Sequence, residues 1–170
     1  RSTSTSRPEA ARRVFFLRFG RMTRPSLPLT IALLGAESTG KTQLAQSMAA
    51  RLRERGHRVV GVPEALRTWC ERAGRNPRPE EQVPIAKAQE AAVDEAVKHA
   101  DIVIADTSAL MVAIYSGMLF DDGELLRFAR ERQHGYGLTL LTGLDLPWVP
   151  DGLQRVGPEV REDVDRQIRE

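Results

Sequence analysis

One eight-residue segment constrains this chain more than any other feature. It carries two glycines with four residues between them, followed directly by a lysine and a threonine: Gly35-Ala36-Glu37-Ser38-Thr39-Gly40-Lys41-Thr42. A short aliphatic run at 29–34 precedes it, and apolar residues at four-residue spacing follow it. Those flanks predict a buried strand before the loop and an amphipathic helix after it. A G-x-x-x-x-G-K-[ST] segment between a strand and a helix is typical of a phosphate-binding loop.

Each residue type in this loop has a chemical reason to be there. Gly35 and Gly40 allow backbone conformations that side chains exclude, so that N–H groups of the loop and first helical turn point at phosphate oxygens. Lys41 places a positive charge on the β and γ phosphates, and the Thr42 hydroxyl is a magnesium ligand. We therefore expect a nucleoside triphosphate and Mg²⁺ to be bound by Gly35, Glu37, Ser38, Thr39, Gly40, Lys41 and Thr42.

The segment at 142–145 favours ATP over GTP. Guanine-specific proteins of this kind read the base with an Asn/Thr-Lys-x-Asp loop after a later strand. Here that place holds Thr142-Gly143-Leu144-Asp145, which lacks the lysine. ATP is therefore the expected cofactor, together with magnesium.

The remaining patterns predict an alternation of strands and helices. Strands are predicted at 29–34, 58–62, 101–106 and 138–141, and helices at 41–55, 64–73, 80–100, 109–119, 124–134 and 158–170. This order predicts an α/β, three-layer P-loop NTPase fold, with a parallel sheet and helices on both of its faces. Such folds usually add a fifth strand after this point, so we expect the last strand to be missing from this chain.

Asp106 ends the most continuous aliphatic strand pattern, Asp-Ile-Val-Ile-Ala-Asp. A P-loop protein keeps there the carboxylate that holds magnesium through water. The same carboxylate would be close enough to the γ-phosphate to polarise an acceptor hydroxyl. The alternative is a cap for the helix that begins near Ala109, for which Thr107 and Ser108 are rivals.

Charge and composition separate the first 24 residues from the rest. They hold seven arginines and one glutamate, which leaves residues 25–170 with a net charge of −4 within the overall +2. We expect 1–24 to be a basic, disordered or non-native leader without a role in the chemistry, although its Arg- and Ser-rich composition is also typical of a mitochondrial transit peptide. The domain of interest is then a P-loop kinase-like domain at 25–170.

Several partners and compartments are disfavoured by the same composition. The net negative charge of residues 25–170 does not favour binding to nucleic acid. No apolar run approaches the ~20 residues of a membrane span. Cys70 is the only cysteine, so no internal disulfide can form, which fits a cytoplasmic location.

Four segments together resemble the ribosylnicotinamide kinase domain of NadR-type proteins. They are the phosphate loop, Pro63-Glu64-Ala65-Leu66-Arg67, Asp106-Thr107, and Asp145-Leu146-Pro147-Trp148-Val149-Pro150-Asp151-Gly152-Leu153. The resemblance implies transfer of the ATP γ-phosphate to the 5′-hydroxyl of nicotinamide riboside. It also has two departures. The histidines stand alone, without the His-x-Gly-His motif of bifunctional members, and Gln154 follows Asp-Gly-Leu where some relatives have an arginine.

The remaining candidate residues belong to catalysis and the acceptor. Arg155 is the candidate lid arginine that acts with Lys41 and Asp106, or else a surface arginine.

Glu64 and Arg67 follow the second strand, at the sheet edge where open α/β folds bind ligands, although Glu64 also fits a first-turn acid at a helix dipole. Trp69 and Tyr115 are candidates to stack on a flat ring, and core packing is their alternative.

Three functions are compatible with these residues. The first is an ATP-dependent kinase acting on a small-molecule acceptor, a nucleoside such as nicotinamide riboside. The second is a P-loop ATPase or nucleotide-dependent regulatory protein without a small acceptor. The third is a binding module that has lost catalysis.

Overall fold

A parallel sheet organises the molecule. The computed structural model describes residues 27–119, 123–149 and 158–170. Within them the strands are β1 (Leu29–Leu34), β2 (Val59–Val62), β3 (Ile102–Asp106) and β4 (Leu138–Leu141). They lie in the order β2-β3-β1-β4, and every neighbouring pair is parallel. The predicted α/β fold with a parallel sheet is confirmed.

Six helices are described around this sheet. They are α1 (Lys41–Glu54), α2 (Ala65–Ala73), α3 (Pro79–Val97), α4 (Ala109–Leu119), α5 (Gly123–Gln133) and α6 (Pro158–Arg169). Their bounds match the sequence predictions to within one residue, except that α3 ends at 97 instead of 100. Asp101 explains the earlier end, because its main-chain N–H donates to Arg58 O and its carboxylate accepts from the Arg58 main-chain N–H. Helix α3 must therefore end before Asp101, so that β3 can pair with β2.

Helices cover both faces of the sheet, as the alternation predicted. On one face, Ile31, Leu33, Ile102 and Ile104 pack with Ala45 and Ala49 of α1. On the other face, α3 packs against residues of β2 and β3, while α4 and α6 pack near the end of β1. All five residues of β3 are buried, as its continuous aliphatic pattern predicted. Cys70 is also buried in the core, at 2% exposure.

The leader at 1–24 lies outside the described residues. Within the part of the chain that the structure describes, no helix combines the length and the apolar character needed to cross a bilayer.

A buried carboxylate on α3 anchors the start of α4. Glu90 is only 3% exposed, and it accepts the main-chain N–H of Ala109 at 2.8 Å. Arg132 Nε and the Tyr136 hydroxyl donate to the same carboxylate at 3.3 Å. Burial and the Glu90 charge raise the pKa of Tyr136 far above its ordinary value, so its hydroxyl remains a donor. Because only Thr107 and Ser108 separate Asp106 from α4, Glu90 also fixes the far end of the turn that follows that carboxylate.

We expect Glu90→Ala to lower the free energy of unfolding by about 2–3 kcal/mol, since it leaves a buried N–H without its acceptor. Urea denaturation followed by circular dichroism measures the change. The control is Asp94→Ala, which removes the other carboxylate paired with Arg132; that carboxylate is 60% exposed, so its loss should cost less than about 1 kcal/mol. Equal effects of the two substitutions would contradict the anchoring role of Glu90.

Candidate nucleotide-binding and active site

The register of the sheet brings the phosphate loop and Asp106 together. Leu33 of β1 pairs with Asp106 of β3, so the two strands end side by side. The loop leaves β1 at Gly35 and enters α1 at Lys41. Thr42, in the first turn of α1, donates its hydroxyl hydrogen to Asp106 Oδ2 at 2.6 Å. Two residues 64 positions apart thus form one polar pair at the carboxyl edge of the sheet.

Gly35 occupies a position that only glycine fits. Its φ is 148°, and a Cβ built there would lie 2.0 Å from Thr142 Oγ1. The Thr142 hydroxyl lies 2.7 Å from Thr39 Oγ1 and 3.1 Å from Leu34 O. Thr142 follows β4 directly and therefore braces the loop from the neighbouring strand. Sequence reasoning assigned Thr142 no such role; its position at the end of a strand parallel to β1 was the available signal.

The loop is built to receive an anion. Lys41 Nζ donates to the carbonyl oxygens of Gly35 and Ala36, both at 2.8 Å, which holds the ammonium group over the loop. Gly40, at φ 80°, is the N-cap of α1 and supplies no side-chain cap, and the first turn of α1 contains no acidic residue. The main-chain N–H groups of the first turn of α1 and the positive end of the helix dipole are therefore available to a phosphate.

Asp106 and Thr42 fit a magnesium ion. Asp106 is 7% exposed, and its Oδ1 is buried without a hydrogen-bond partner among the described residues. Mg²⁺ prefers oxygen ligands, and proteins commonly supply one or two of them while substrate phosphates and water supply the rest. No cluster of three or more His, Cys, Asp or Glu side chains that could hold a metal occurs in the described ranges. The Thr42 hydroxyl and the Asp106 carboxylate are therefore the oxygen ligands that the protein could offer to the ion.

The alternative role of Asp106 as a helix cap is taken by other groups. The N–H of Ala109 bonds to Glu90 Oε1 at 2.8 Å, and the N–H of Leu110 lies 3.3 Å from Ser108 Oγ. The Asp106 carboxylate instead contacts Thr42. Its side chain is therefore directed to the phosphate loop.

Glu64 and Arg67 form a second polar pair at this edge of the sheet. Arg67 Nε lies 3.5 Å from Glu64 Oε2, and the Glu64 side chain is only 18% exposed. Burial raises the pKa of Glu64; the Asp106 charge adds to this effect, while the positive charges of Lys41 and Arg67 oppose it. These interactions place Glu64 in the electrostatic field of the phosphate loop.

A cleft of about 790 Å³ joins these groups. Of the predicted site residues, it is lined by Glu37, Ser38, Thr39, Gly40, Lys41, Thr42, Glu64, Arg67 and Tyr115. Gly35 and Asp106 are not in its lining but lie directly behind it, in contact with Lys41 and Thr42 respectively.

Trp69 is the predicted residue that the structure does not bring to the cleft. It packs against the core cluster of α2, α3, α4 and α5, and the Arg75 guanidinium lies 4.9 Å from its ring centroid. The buried Leu66 lies one helical turn before Trp69, so both side chains are on the same side of α2, and the packing of that side against the cluster directs Trp69 to the core. Arg155, the candidate lid arginine, lies outside the described residues.

The segment at 143–149 lies against the phosphate loop. The Ser38 hydroxyl donates to Val149 O at 2.9 Å and accepts from Val149 N at 3.2 Å. Leu146 lines the cleft, and a Cβ at Gly40 would lie 3.1 Å from its Cδ1. Arg161 of α6 holds this segment in turn, because its Nη2 donates to Leu146 O at 2.7 Å.

Comparison with known proteins places the chain in a family. A family model described as an AAA domain matches residues 30–170. Among curated proteins, the signal recognition particle proteins of Mycobacterium leprae (strain TN) and Mycobacterium bovis (strain ATCC BAA-935 / AF2122/97) are 30% identical over 99 residues, which cover 48% of this chain and 19% of theirs. The chain therefore spans about a fifth of the length of these relatives.

Solved structures share the fold. A crystal structure of NadR protein in complex with NAD and AMP-PNP superposes with a TM-score of 0.63 at 19% identity, over 84% of this chain and 41% of that one. NadR protein in complex with NR gives 0.57 at 21% identity, over 68% and 33%. The chain belongs to the AAA domain family, and its fold is the P-loop fold of these NadR structures.

We expect the free energy of unfolding to depend on pH through Glu64. A carboxyl group with a raised pKa binds its proton more tightly in the folded state, so its contribution to stability is present at low pH. That contribution is lost as the pH rises from the ordinary carboxyl pKa towards the raised one. Glu64→Gln cannot ionise, so its stability relative to wild type should increase with pH.

Urea titrations of both proteins between about pH 4 and about pH 8 measure this difference. Glu71→Gln, an exposed glutamate on the same helix α2, sets the baseline. If the difference in the free energy of unfolding between Glu64→Gln and wild type stays constant across the range, folding does not raise the pKa of Glu64.

Proposed function

We propose that this member of the AAA domain family is an ATP-dependent kinase that transfers the γ-phosphate to a hydroxyl of a small acceptor, nicotinamide riboside being the first candidate. The observation that carries the proposal is the shared cleft. One part of its lining is the phosphate loop, and another part holds Glu64, Arg67 and Tyr115, which lie outside that loop. A cleft with both sets of groups suits two substrates.

The first set of groups would bind ATP. Lys41 would pair with the β and γ phosphates, while Glu37, Ser38, Thr39 and the glycines shape the loop around them. Thr42 and Asp106 would hold Mg²⁺, which when bound neutralises charge on the phosphates. The contact between Thr42 and Asp106 supports this assignment, because it places the two oxygen ligands side by side.

The second set would position the acceptor. Glu64 would hold an acceptor hydroxyl, Arg67 a phosphate or carboxamide, and Tyr115 would stack on a flat ring. Trp69 packs behind these residues, against the core cluster that includes the cleft-lining Leu66. NadR protein forms complexes with NR and with NAD and AMP-PNP, which makes a nicotinamide nucleoside the acceptor to try first.

The transfer needs little covalent help from the protein. The acceptor hydroxyl oxygen forms a bond to the γ-phosphorus while the bond from that phosphorus to the β–γ bridging oxygen breaks, so that ADP leaves. The hydroxyl proton moves towards the Asp106 carboxylate, whose Oδ1 has no hydrogen-bond partner in the described part of the chain. Positioning and charge neutralisation supply most of the rate enhancement, and Arg155 is the proposed lid arginine that adds to the latter.

The experiment is ADP release from Mg-ATP by the purified chain, alone and with nicotinamide riboside or a panel of other nucleosides. We expect stimulation by nicotinamide riboside, and we expect Lys41→Ala and Asp106→Ala each to lower the stimulated rate at least about a hundredfold, because each removes charge stabilisation at the phosphates. Asp94→Ala, on an exposed part of α3, is the matched carboxylate control and should retain the rate.

Each of the other outcomes points elsewhere. ATP hydrolysis that ignores every acceptor would favour an ATPase or a nucleotide-dependent regulatory protein. Binding of ATP without turnover would favour a binding module. Lys41→Ala that keeps both binding and turnover would overturn the assignment of the site.

A further inference from the structure

Three polar side chains lie on the buried face of α3. Gln82, Gln89 and Glu90 are each at most 3% exposed. Two of them bond to the main chain of neighbouring elements: Gln89 Oε1 accepts the N–H of Ala65 at 2.7 Å, and Glu90 Oε1 accepts the N–H of Ala109 at 2.8 Å. These two side chains therefore have a structural explanation for their burial.

Gln82 has no such explanation. Its Oε1 is buried and makes no hydrogen bond to any described residue. Buried polar atoms in folded proteins are almost always hydrogen-bonded, because leaving one unsatisfied is costly. The side chain lines the same cleft as Glu64 and Arg67, so a molecule bound in that cleft is the available source of a donor.

Thr107 provides a second, independent sign of a ligand in this cleft. It is 2% exposed, its Oγ1 is buried without a partner in the described ranges, and it lines the cleft. Its φ is +91°, an outlier for a β-branched residue. Backbone strain of this kind concentrates at functional sites, where the surrounding structure enforces it. Here Gln89 Nε2 donates to Thr107 O at 3.5 Å, and Ala109 is held by Glu90.

We propose that Gln82 is a specificity-determining residue of the acceptor site and binds an uncharged N–H or O–H donor of the acceptor. The inference rests on the proposed kinase function and adds a residue that recognises the second substrate. Phosphate groups already have Lys41 and the start of α1, and a neutral amide oxygen would repel them. A carboxylate offers only acceptor atoms, so it leaves Gln82 Oε1 unsatisfied. The chemistry therefore selects a carboxamide or a hydroxyl group.

The test is Gln82→Met, which nearly conserves the side-chain volume and removes the hydrogen bond. We expect kcat/KM for nicotinamide riboside to fall about tenfold to a hundredfold, while the KM for ATP stays within about twofold of wild type. The ligand-free variant should unfold at the same temperature as wild type or higher, because a buried unsatisfied atom has been removed. Gln167→Met, the same change at an exposed position of α6, is the matched control.

A second acceptor identifies which donor Gln82 binds. The carboxylate analogue of nicotinamide riboside lacks the amide N–H but keeps both ribose hydroxyls and the phosphate-accepting 5′-hydroxyl. If wild type prefers the amide and Gln82→Met loses that preference, the donor is the carboxamide. If Gln82→Met lowers kcat/KM equally for both acceptors, the donor is a hydroxyl. Either result supports the proposal.

Three results would overturn it. In the first, wild type is stimulated by the acceptor and Gln82→Met behaves as wild type, which refutes the role of Gln82 and leaves the kinase intact. In the second, the variant loses thermal stability and ATP affinity together with activity, which shows a structural role. In the third, wild type responds to no acceptor, and both the kinase function and the Gln82 inference fail.

Discussion

The parallel pairing of β1 with β3 is the constraint on which the candidate site depends. Because Leu33 and Asp106 are register partners, the phosphate loop and the carboxylate leave the sheet at the same edge. The hydrogen bond from Thr42 to Asp106 follows from that register. The pairing of β1 with β4 brings Thr142 to the other side of the same strand end, where it excludes any side chain at Gly35. The site is thus a consequence of how three neighbouring strands terminate.

Helix α3 extends this arrangement to the rest of the cleft. Its buried polar residues hold the start of α2 through Gln89 and the start of α4 through Glu90. Two of the groups that line the cleft belong to those helices, namely Glu64 at the N-cap of α2 and Tyr115 in α4. A single helix therefore fixes the start of α2 relative to the start of α4, and Gln82 lies on the same buried face of that helix.

Local patterns predicted most of the fold and the phosphate loop. The strand at 29–34, the loop and the position of Asp106 follow from aliphatic runs and a spaced glycine motif, all of which are local in the sequence. The partners that span the fold could not be predicted in this way. Thr142 lies 103 residues from Thr39. At the start of α4, Ser108 accepts from the N–H of Leu110, as a local cap can, but the acceptor for the N–H of Ala109 is Glu90 on another helix. Whether Trp69 faces the cleft or the core depends on the packing of α2 against α3, which the helical period alone leaves open.

We expect Thr42 and Asp106 to act as one magnesium-binding pair beside the phosphate loop. The most direct measurement is the affinity for a non-hydrolysable ATP analogue, with Mg²⁺ and with a chelator, by calorimetry on wild type, Thr42→Val, Asp106→Asn and the double variant. We expect Mg²⁺ to strengthen binding to wild type, each single substitution to remove that gain, and the double variant to lose no more than either one. Single variants that keep the full gain from Mg²⁺, or losses that add in the double variant, would contradict the pair.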